Sequence, residues 1–450
     1  MLVWTYRNPT QQIFSSMGSE SIQTPFFAHS GGGQGGGAYP AWAFPAKSGK
    51  NIWRPKPVSG TKVNDRLNQL TDYPFQRLSD LLGGAATPDS IVMSIGEPQH
   101  SPPALVARIL ADKAALWGKY PPANGSPDFR QAVAAWLTRR FKLPDGMIEP
   151  ERMVLPVAGT REALYLIAQT VITPAEDGGD RPVVLLPNPF YQVYVGAAVM
   201  AGAEPVFVPG AHGPASQPDY TTLPQEVLAR TRLAYLCSPA NPQGSVADLD
   251  LLKRTILLAR QYGFVLAVDE CYSEIWDKAE PAGALEACAA LGGSVDNVLV
   301  FHSLSKRSSA PGLRSGFVAG DAKVMAGFGR LRSYAGAATP LPILAAATAL
   351  WRDEAHVEEN QALYRAKLDI AERLLGRHPG FARPEGGFFL WLDVGDGENA
   401  AVELWRQAKI RVLPGKYLAR DGIGDRFIRV ALVHDLDLTE QALGRMAEIL

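Results

Sequence analysis

Cysteine is scarce in this chain of 450 residues: Cys237, Cys271 and Cys288 are the whole set, and no two form a C-x-x-C pair. An odd, scattered set excludes a disulfide framework and a cysteine zinc site, and it suits a reducing compartment. Long apolar runs are missing too. No stretch reaches 18 uncharged apolar residues, so no transmembrane helix is expected. The N-terminus has no unbroken apolar segment after basic residues, so no secretory signal is expected. Net charge is −1, so bulk composition offers nothing to nucleic acid or an anionic membrane. Together these absences predict a cytoplasmic protein with no metal, nucleic-acid or membrane partner.

Residues 1–62 differ from the rest. They hold GGGQGGG at 31–37, several prolines and a net charge of +5, which leaves −6 for the remainder. No strand precedes the glycine run and no Lys-Ser/Thr helix start follows it, so it reads as a flexible linker rather than a phosphate loop. The segment is expected to be a flexible, nonfunctional extension, of the kind an over-long start site would add. From Val63 onward, seven short apolar runs read as strands: Met153–Pro156, Val183–Leu186, Pro205–Val208, Ala234–Cys237, Val265–Val268, Val298–Phe301 and Gly316–Ala319. Helix-period segments lie between many of them, one after Gly159 and one from about Asp250 to Tyr262. The alternation predicts an α/β fold with a mainly parallel sheet. Beyond residue 345, helical stretches at 342–377 and 437–450 flank strands near Phe388–Leu392 and Phe427–Leu432. They predict a smaller α+β domain. The expected division is 63–105 as an N-terminal arm and part of the small domain, 106–344 as the large domain, and 345–450 as the C-terminal small domain.

Candidate chemistry sits where predicted strands end, which is where open α/β sheets bind ligands. Lys306 lies in the loop SLSKRSSAPGLRSG (303–316) with Ser303, Arg307 and Arg314. A lysine that forms an imine must lose its proton, and burial or cationic neighbours favour that. Hydroxyls and a guanidinium also suit a phosphate; the other reading is a solvated basic loop. Asp269, with Tyr272 three residues on, either pairs with a pyridinium nitrogen or caps a helix. Asn241 before Pro242 reads as a turn or as a donor to a phenolate oxygen. Gly159 and Thr160 open a helix whose N-terminus favours phosphate; alternatively Thr160 is an ordinary N-cap. Tyr191 follows another strand end and either stacks on a flat ring or packs in the core. Arg429 lies in the apolar strand FIRVALV and needs an anion, either an internal carboxylate or that of a substrate.

In this order, Asn241, Asp269, Tyr272, Ser303, Lys306, Arg314 and Arg429 resemble the signature of class I/II aminotransferases, the fold-type I enzymes of pyridoxal phosphate (PLP). The resemblance covers about residues 63–450, and it implies a large domain with a seven-stranded, mainly parallel sheet plus a smaller α+β domain. It implies that Lys306 holds PLP as a Schiff base and shuttles a proton, and that Asp269 pairs with the ring nitrogen. Tyr272 and Asn241 would bond the phenolate oxygen, and Tyr191 would stack on the ring. Gly159, Thr160, Ser303 and Arg314 would bind the phosphate, Arg429 the substrate carboxylate, and Gly96 would line that side. Tyr120 would reach the phosphate of a neighbouring subunit, implying a homodimer with shared sites.

DYPFQRL (72–78), SIGEPQHSPP (94–103), PNPFYQVY (187–194), DECYSEI (269–275), FHSLSKRSSAPGLRSGFVAGD (301–321) and DEAHVEENQALYRAK (353–367) are similar to succinyldiaminopimelate aminotransferases of lysine synthesis. The implied reaction exchanges an amino group between N-succinyl-LL-2,6-diaminopimelate and 2-oxoglutarate, ping-pong through pyridoxamine phosphate. An acetylornithine-type or general amino-acid aminotransferase and a C–S lyase are the alternatives. A PLP-domain transcription regulator would need an N-terminal helix-turn-helix, and residues 1–62 show no helical period. Gln243 and Ala158 depart from the family pattern at positions that move no proton. Arg332 is the expected grip for a distal carboxylate.

Overall fold

The computed structural model describes residues 63–176, 179–336 and 338–450. The extension expected at 1–62 lies outside the described residues. After the two-residue strand β1 (Ile91–Val92), seven strands build one sheet: β2 (Val154–Val157), β3 (Val183–Asn188), β4 (Glu204–Pro209), β5 (Thr231–Cys237), β6 (Val265–Asp269), β7 (Val298–Ser303) and β8 (Gly316–Gly320). Their order is β2-β8-β7-β6-β5-β3-β4. β3 to β7 run parallel, and β8 is antiparallel to both of its neighbours. All seven runs read from the sequence fall in this sheet.

Burial explains why those runs are continuously apolar. Leu266 and Val268 face one core with Trp136, Ile256 and Trp351, while Val265 and Ala267 face the other with Leu164, Ala197 and Phe328. A strand covered by helices on both sides has no polar face to show. Proline marks the margins. Pro156 lies in one edge strand and Pro205 in the other, where a missing N–H costs no ladder bond. The helix Leu249–Tyr262 is capped by Asp248, whose carboxylate accepts from the Leu251 amide at 2.7 Å, and Gly263 closes it at φ +72°.

The C-terminal part forms a second sheet, β11 (Leu413–Pro414), β12 (Phe427–Ala431) and β9 (Phe389–Asp393), antiparallel throughout. Its core takes Leu404, Leu443 and Met446 from the helices Gly397–Ala408 and Leu436–Ile449, and Leu368 from Ala355–Leu375. β1 pairs in parallel with β10 (Ile410–Arg411), so residues near 91 join this core. We propose the division into arm, large domain and small domain on this packing. The helix Leu341–Arg352 runs through the proposed boundary at 344/345, and its side chains as far as Trp351 belong to the first core.

The helical stretch expected at 342–377 is broken into Leu341–Arg352 and Ala355–Leu375. Asp353 sits at the break, and its carboxylate accepts from the His356 amide at 3.3 Å, which starts a new helix instead of continuing the old one. No described helix is long and apolar enough to cross a membrane.

Candidate active site

A cavity of about 510 Å³ opens at the carboxyl ends of β3, β5, β6 and β7. Its reach into the C-terminal sheet brings Phe389 and Arg429 to the same wall. Lys306 lies on its floor. The expected loop is a one-turn helix, Leu304–Arg307, because the Ser303 hydroxyl accepts from the Ser305 amide at 3.2 Å and caps it. The Lys306 ammonium donates to the Gly96 carbonyl and lies 5.2 Å from the Phe388 ring centroid. Burial pushes it down to about 8; Cys271 opposes the shift and Arg429 adds to it.

Asp269 is the last residue of β6 and caps no helix, so the capping alternative is corrected. It is buried, accepting from the Tyr194 hydroxyl at 2.8 Å and the Cys271 amide at 3.3 Å. Burial pushes its carboxyl up, and those two bonds pull the other way. Tyr194, which sequence reasoning passed over, stacks on Tyr235 at 4.5 Å and so is fixed under Asp269. Its helical spacing in an apolar stretch gave no signal apart from core packing. Tyr191 lines the cavity, and its hydroxyl accepts from Arg161 Nε at 2.7 Å. Tyr272 is buried against Phe388 and Phe389.

Arg429 projects from β12 at 5% exposure. It donates to Asn241 Oδ1 at 3.0 Å and to the Ser94 carbonyl at 2.6 Å, and its Cζ lies 4.4 Å from the Phe389 centroid. Among the described residues no carboxylate pairs with it, and its Nε has no partner. The internal ion pair held open by the sequence is therefore not found among the described residues. Burial pushes the guanidinium down to about 10, the opposite of what a paired carboxylate would do.

At the other end of the cavity, Gly159 occupies the N-cap of the helix Thr160–Val171 at φ +86°, without a side-chain cap. Thr160 is the first helical residue, so its expected capping role is corrected. A Cβ at Gly159 would lie 2.2 Å from Arg314 Nη2. Arg314 itself donates to the Pro311 and Ala158 carbonyls at 3.0 and 3.1 Å. Open amides, a helix dipole and a guanidinium together suit a phosphate. Gly96 is equally confined: a Cβ there would meet Phe389 at 2.5 Å.

Thus Lys306, Asp269, Tyr272, Asn241, Tyr191, Ser303, Thr160, Arg314, Gly96 and Arg429 line one cavity, with Gly159 packed against Arg314. Two expected residues do not. Tyr120 is fully exposed and outside the lining. Arg332 donates to the Pro156 carbonyl at 2.6 Å and lies 4.0 Å from Glu162, away from the cavity, so its assignment as the distal grip is corrected. The lining also includes Ser305, which the sequence placed beside Lys306 in the same loop, and it adds Arg161 and Glu97. Arg161 is the third residue of the helix-opening segment Gly159-Thr160-Arg161, but no sequence feature tells a cavity-facing arginine there from a solvated one.

The residues present fit PLP. A cationic cradle stands at one end, a buried carboxylate at the other, aromatic side chains between them, and a lysine that burial makes easier to deprotonate is within the same space. The orphaned Arg429 Nε leaves room for a substrate anion beside it.

The sequence pattern of aminotransferase class I and II matches residues 88–446. A crystal structure of an aminotransferase from Neisseria meningitidis is 41% identical, with a TM-score of 0.80 over 86% of this chain and 99% of that one. The LL-diaminopimelate aminotransferase of Syntrophobacter fumaroxidans is 31% identical, over 86% of this chain and 98% of its own. The 4-dedimethylamino-4-oxo-anhydrotetracycline transaminase of Streptomyces rimosus is 33% identical, over 84% and 100%. The chain therefore belongs to the class I and II aminotransferases, enzymes that depend on pyridoxal phosphate.

Proposed function

We propose that this aminotransferase exchanges an amino group between N-succinyl-LL-2,6-diaminopimelate and 2-oxoglutarate. The observation that carries an α-carboxylate substrate is Arg429, buried beside Lys306 without a carboxylate partner among the described residues. PLP, when bound, supplies an electron sink and a temporary carrier for the amino group. The chain supplies the rest. Lys306 would hold the cofactor and afterwards carry the proton between substrate carbon and carrier carbon. Asp269, fixed by Tyr194, would keep the ring nitrogen charged, and Tyr191 would lie against the ring. Tyr272 and Asn241 would bond its oxygen. Ser303, Arg314, Thr160 and the backbone at Gly159 would hold the phosphate. Arg429 would grip the α-carboxylate, with Gly96 lining that side.

Arg161 is our candidate for the distal carboxylate. It lines the cavity mouth, is oriented by Tyr191, and makes no ion pair among the described residues. The exposed Tyr120 would complete the phosphate site of a second copy, in a homodimer.

A second reading, free LL-diaminopimelate as the amino donor, is favoured by what the Syntrophobacter relative is named for. Turnover of the two donors with 2-oxoglutarate separates them. A kcat/KM at least about tenfold higher for the succinylated donor supports the first reading, and the reverse preference replaces it.

A further inference from the structure

Behind Lys306, on the side away from the cavity lining, a chain of polar side chains crosses between elements distant in sequence. Lys367, on the helix Ala355–Leu375, is fully buried. Its ammonium lies 2.6 Å from His100 Nε2 and 3.2 Å from the Leu432 carbonyl. His100 Nδ1 lies 3.0 Å from Asn360 Oδ1. The Asn360 amide donates to the Lys306 carbonyl at 3.0 Å and the Arg307 carbonyl at 3.3 Å. Tyr364 packs against both, its ring centroid 4.9 Å from that of His100 and 4.8 Å from the Lys367 ammonium.

The donor directions are forced from the Lys306 end. Both carbonyls there only accept, so Asn360 Nδ2 must face them, and Oδ1 must face His100 and the Ser309 hydroxyl at 2.8 Å. His100 therefore carries its proton on Nδ1, and a neutral ring leaves Nε2 as an acceptor. Lysine can fill that need, since an ammonium donates only. Burial pushes Lys367 down to about 7, and burial together with the neighbouring Lys367 charge pushes His100 down, which favours the neutral ring as the acceptor. Lys367 has no carboxylate partner among the described residues; Asp435 acts on it only at longer range. A buried lysine kept in that condition is costly, and an apolar side chain of the same length would serve packing alone.

We infer that Lys367, His100 and Asn360 form one positioning chain that fixes the backbone of Lys306. The segment bearing His100 also bears Gly96, whose carbonyl accepts from the Lys306 side chain. The chain therefore sets both ends of Lys306 against one frame: its carbonyl through Asn360, and its ammonium through the 96–100 segment. None of the three residues lines the cavity. Their action on the reaction goes through Lys306, so the inference rests on Lys306 as the lysine that holds the cofactor.

The test compares the full-length wild type with Asn360→Leu, Lys367→Met, the double variant, and His100→Gln, whose amide can both accept and donate. Two quantities are read: steady-state kinetics, and the rate at which cofactor-stripped protein captures PLP, trapped with borohydride and located by peptide mass. One positioning chain predicts that Asn360→Leu and Lys367→Met each lower kcat about tenfold with KM within about twofold, and slow capture at Lys306 alike. The double variant should lose no more than the worse single one, because the second cut falls on a chain already broken. His100→Gln should retain most of the wild-type rate. Losses that multiply in the double variant, or capture rates equal to wild type, overturn the chain. Should Asn360→Leu fail to fold, Lys367→Met and His100→Gln decide alone. Trapping on a lysine other than Lys306 in the wild type overturns the underlying reading as well.

Discussion

At Lys306 two demands meet: the side chain must be held in place, and it must give up its proton. Burial meets both, which is why the ammonium is pushed down to about 8. The neutral amine is the form that attacks a carbonyl. Capture of PLP by cofactor-stripped protein should therefore rise about fivefold from pH 7 to 8 and level off above about 9. Stopped-flow absorbance gives the profile, and a rate flat from pH 6 to 10 contradicts it. The sign for stability follows from the same shift. A lysine with a lowered folded value opposes folding when charged, so its penalty is relieved as pH rises from about 8 toward the unfolded value. At Arg429 the expectation is a division of effects. Arg429→Ala should raise substrate KM by about two orders of magnitude with bound cofactor per chain unchanged. Equal loss of both would make Arg429 structural. The chemistry at these two residues was legible because lysine after a strand end and arginine inside an apolar strand are both anomalies. Tyr194 was not legible, since a tyrosine in a helix buried beneath Asp269 looks like any core aromatic.

Elements were legible where one physical cause dominated. Strands β2 to β8 are covered by helices on both faces, so their apolar runs announce them. Local hydrogen bonding by short side chains was harder to see. Ser303 turns the loop after β7 into a helical turn, and Asp353 interrupts a stretch whose periodicity alone reads as continuous. Gly159 belongs to this scale as well. Gly159→Ala places a Cβ 2.2 Å from Arg314 Nη2 at φ +86°. It should weaken PLP affinity by at least about tenfold while costing about 1 kcal/mol of stability, as read by cofactor titration and urea unfolding. Unchanged affinity would detach this helix start from phosphate binding.

Across the whole molecule, the cavity is a long-range construction. Arg429 and Asn241 are 188 residues apart in sequence and 3.0 Å apart in space. No periodicity or spacing carries such a contact, and the family resemblance alone brought the two together. Arg332 and Arg161 show the limit of that route: the arginine chosen by sequence points at Pro156 and Glu162, and the one that lines the cavity had no role assigned. Tyr120 extends the same question beyond one chain. If it completes a second copy's site, light scattering should give twice 48.5 kDa. Tyr120→Ala should then lose PLP on dilution while keeping that mass. A monomer with full activity would contradict the shared site.

The central claim is that Lys306 holds PLP and passes an amino group through it. The direct test adds N-succinyl-LL-2,6-diaminopimelate, without any keto acid, to purified wild-type and Lys306→Ala proteins loaded with PLP, and follows their absorption spectra. The wild type should lose the band of the lysine-linked cofactor and gain that of the aminated one, and Lys306→Ala should fold normally but form no aminated cofactor. Amination in Lys306→Ala at a near-wild-type rate, or PLP trapped on another lysine, would contradict the claim.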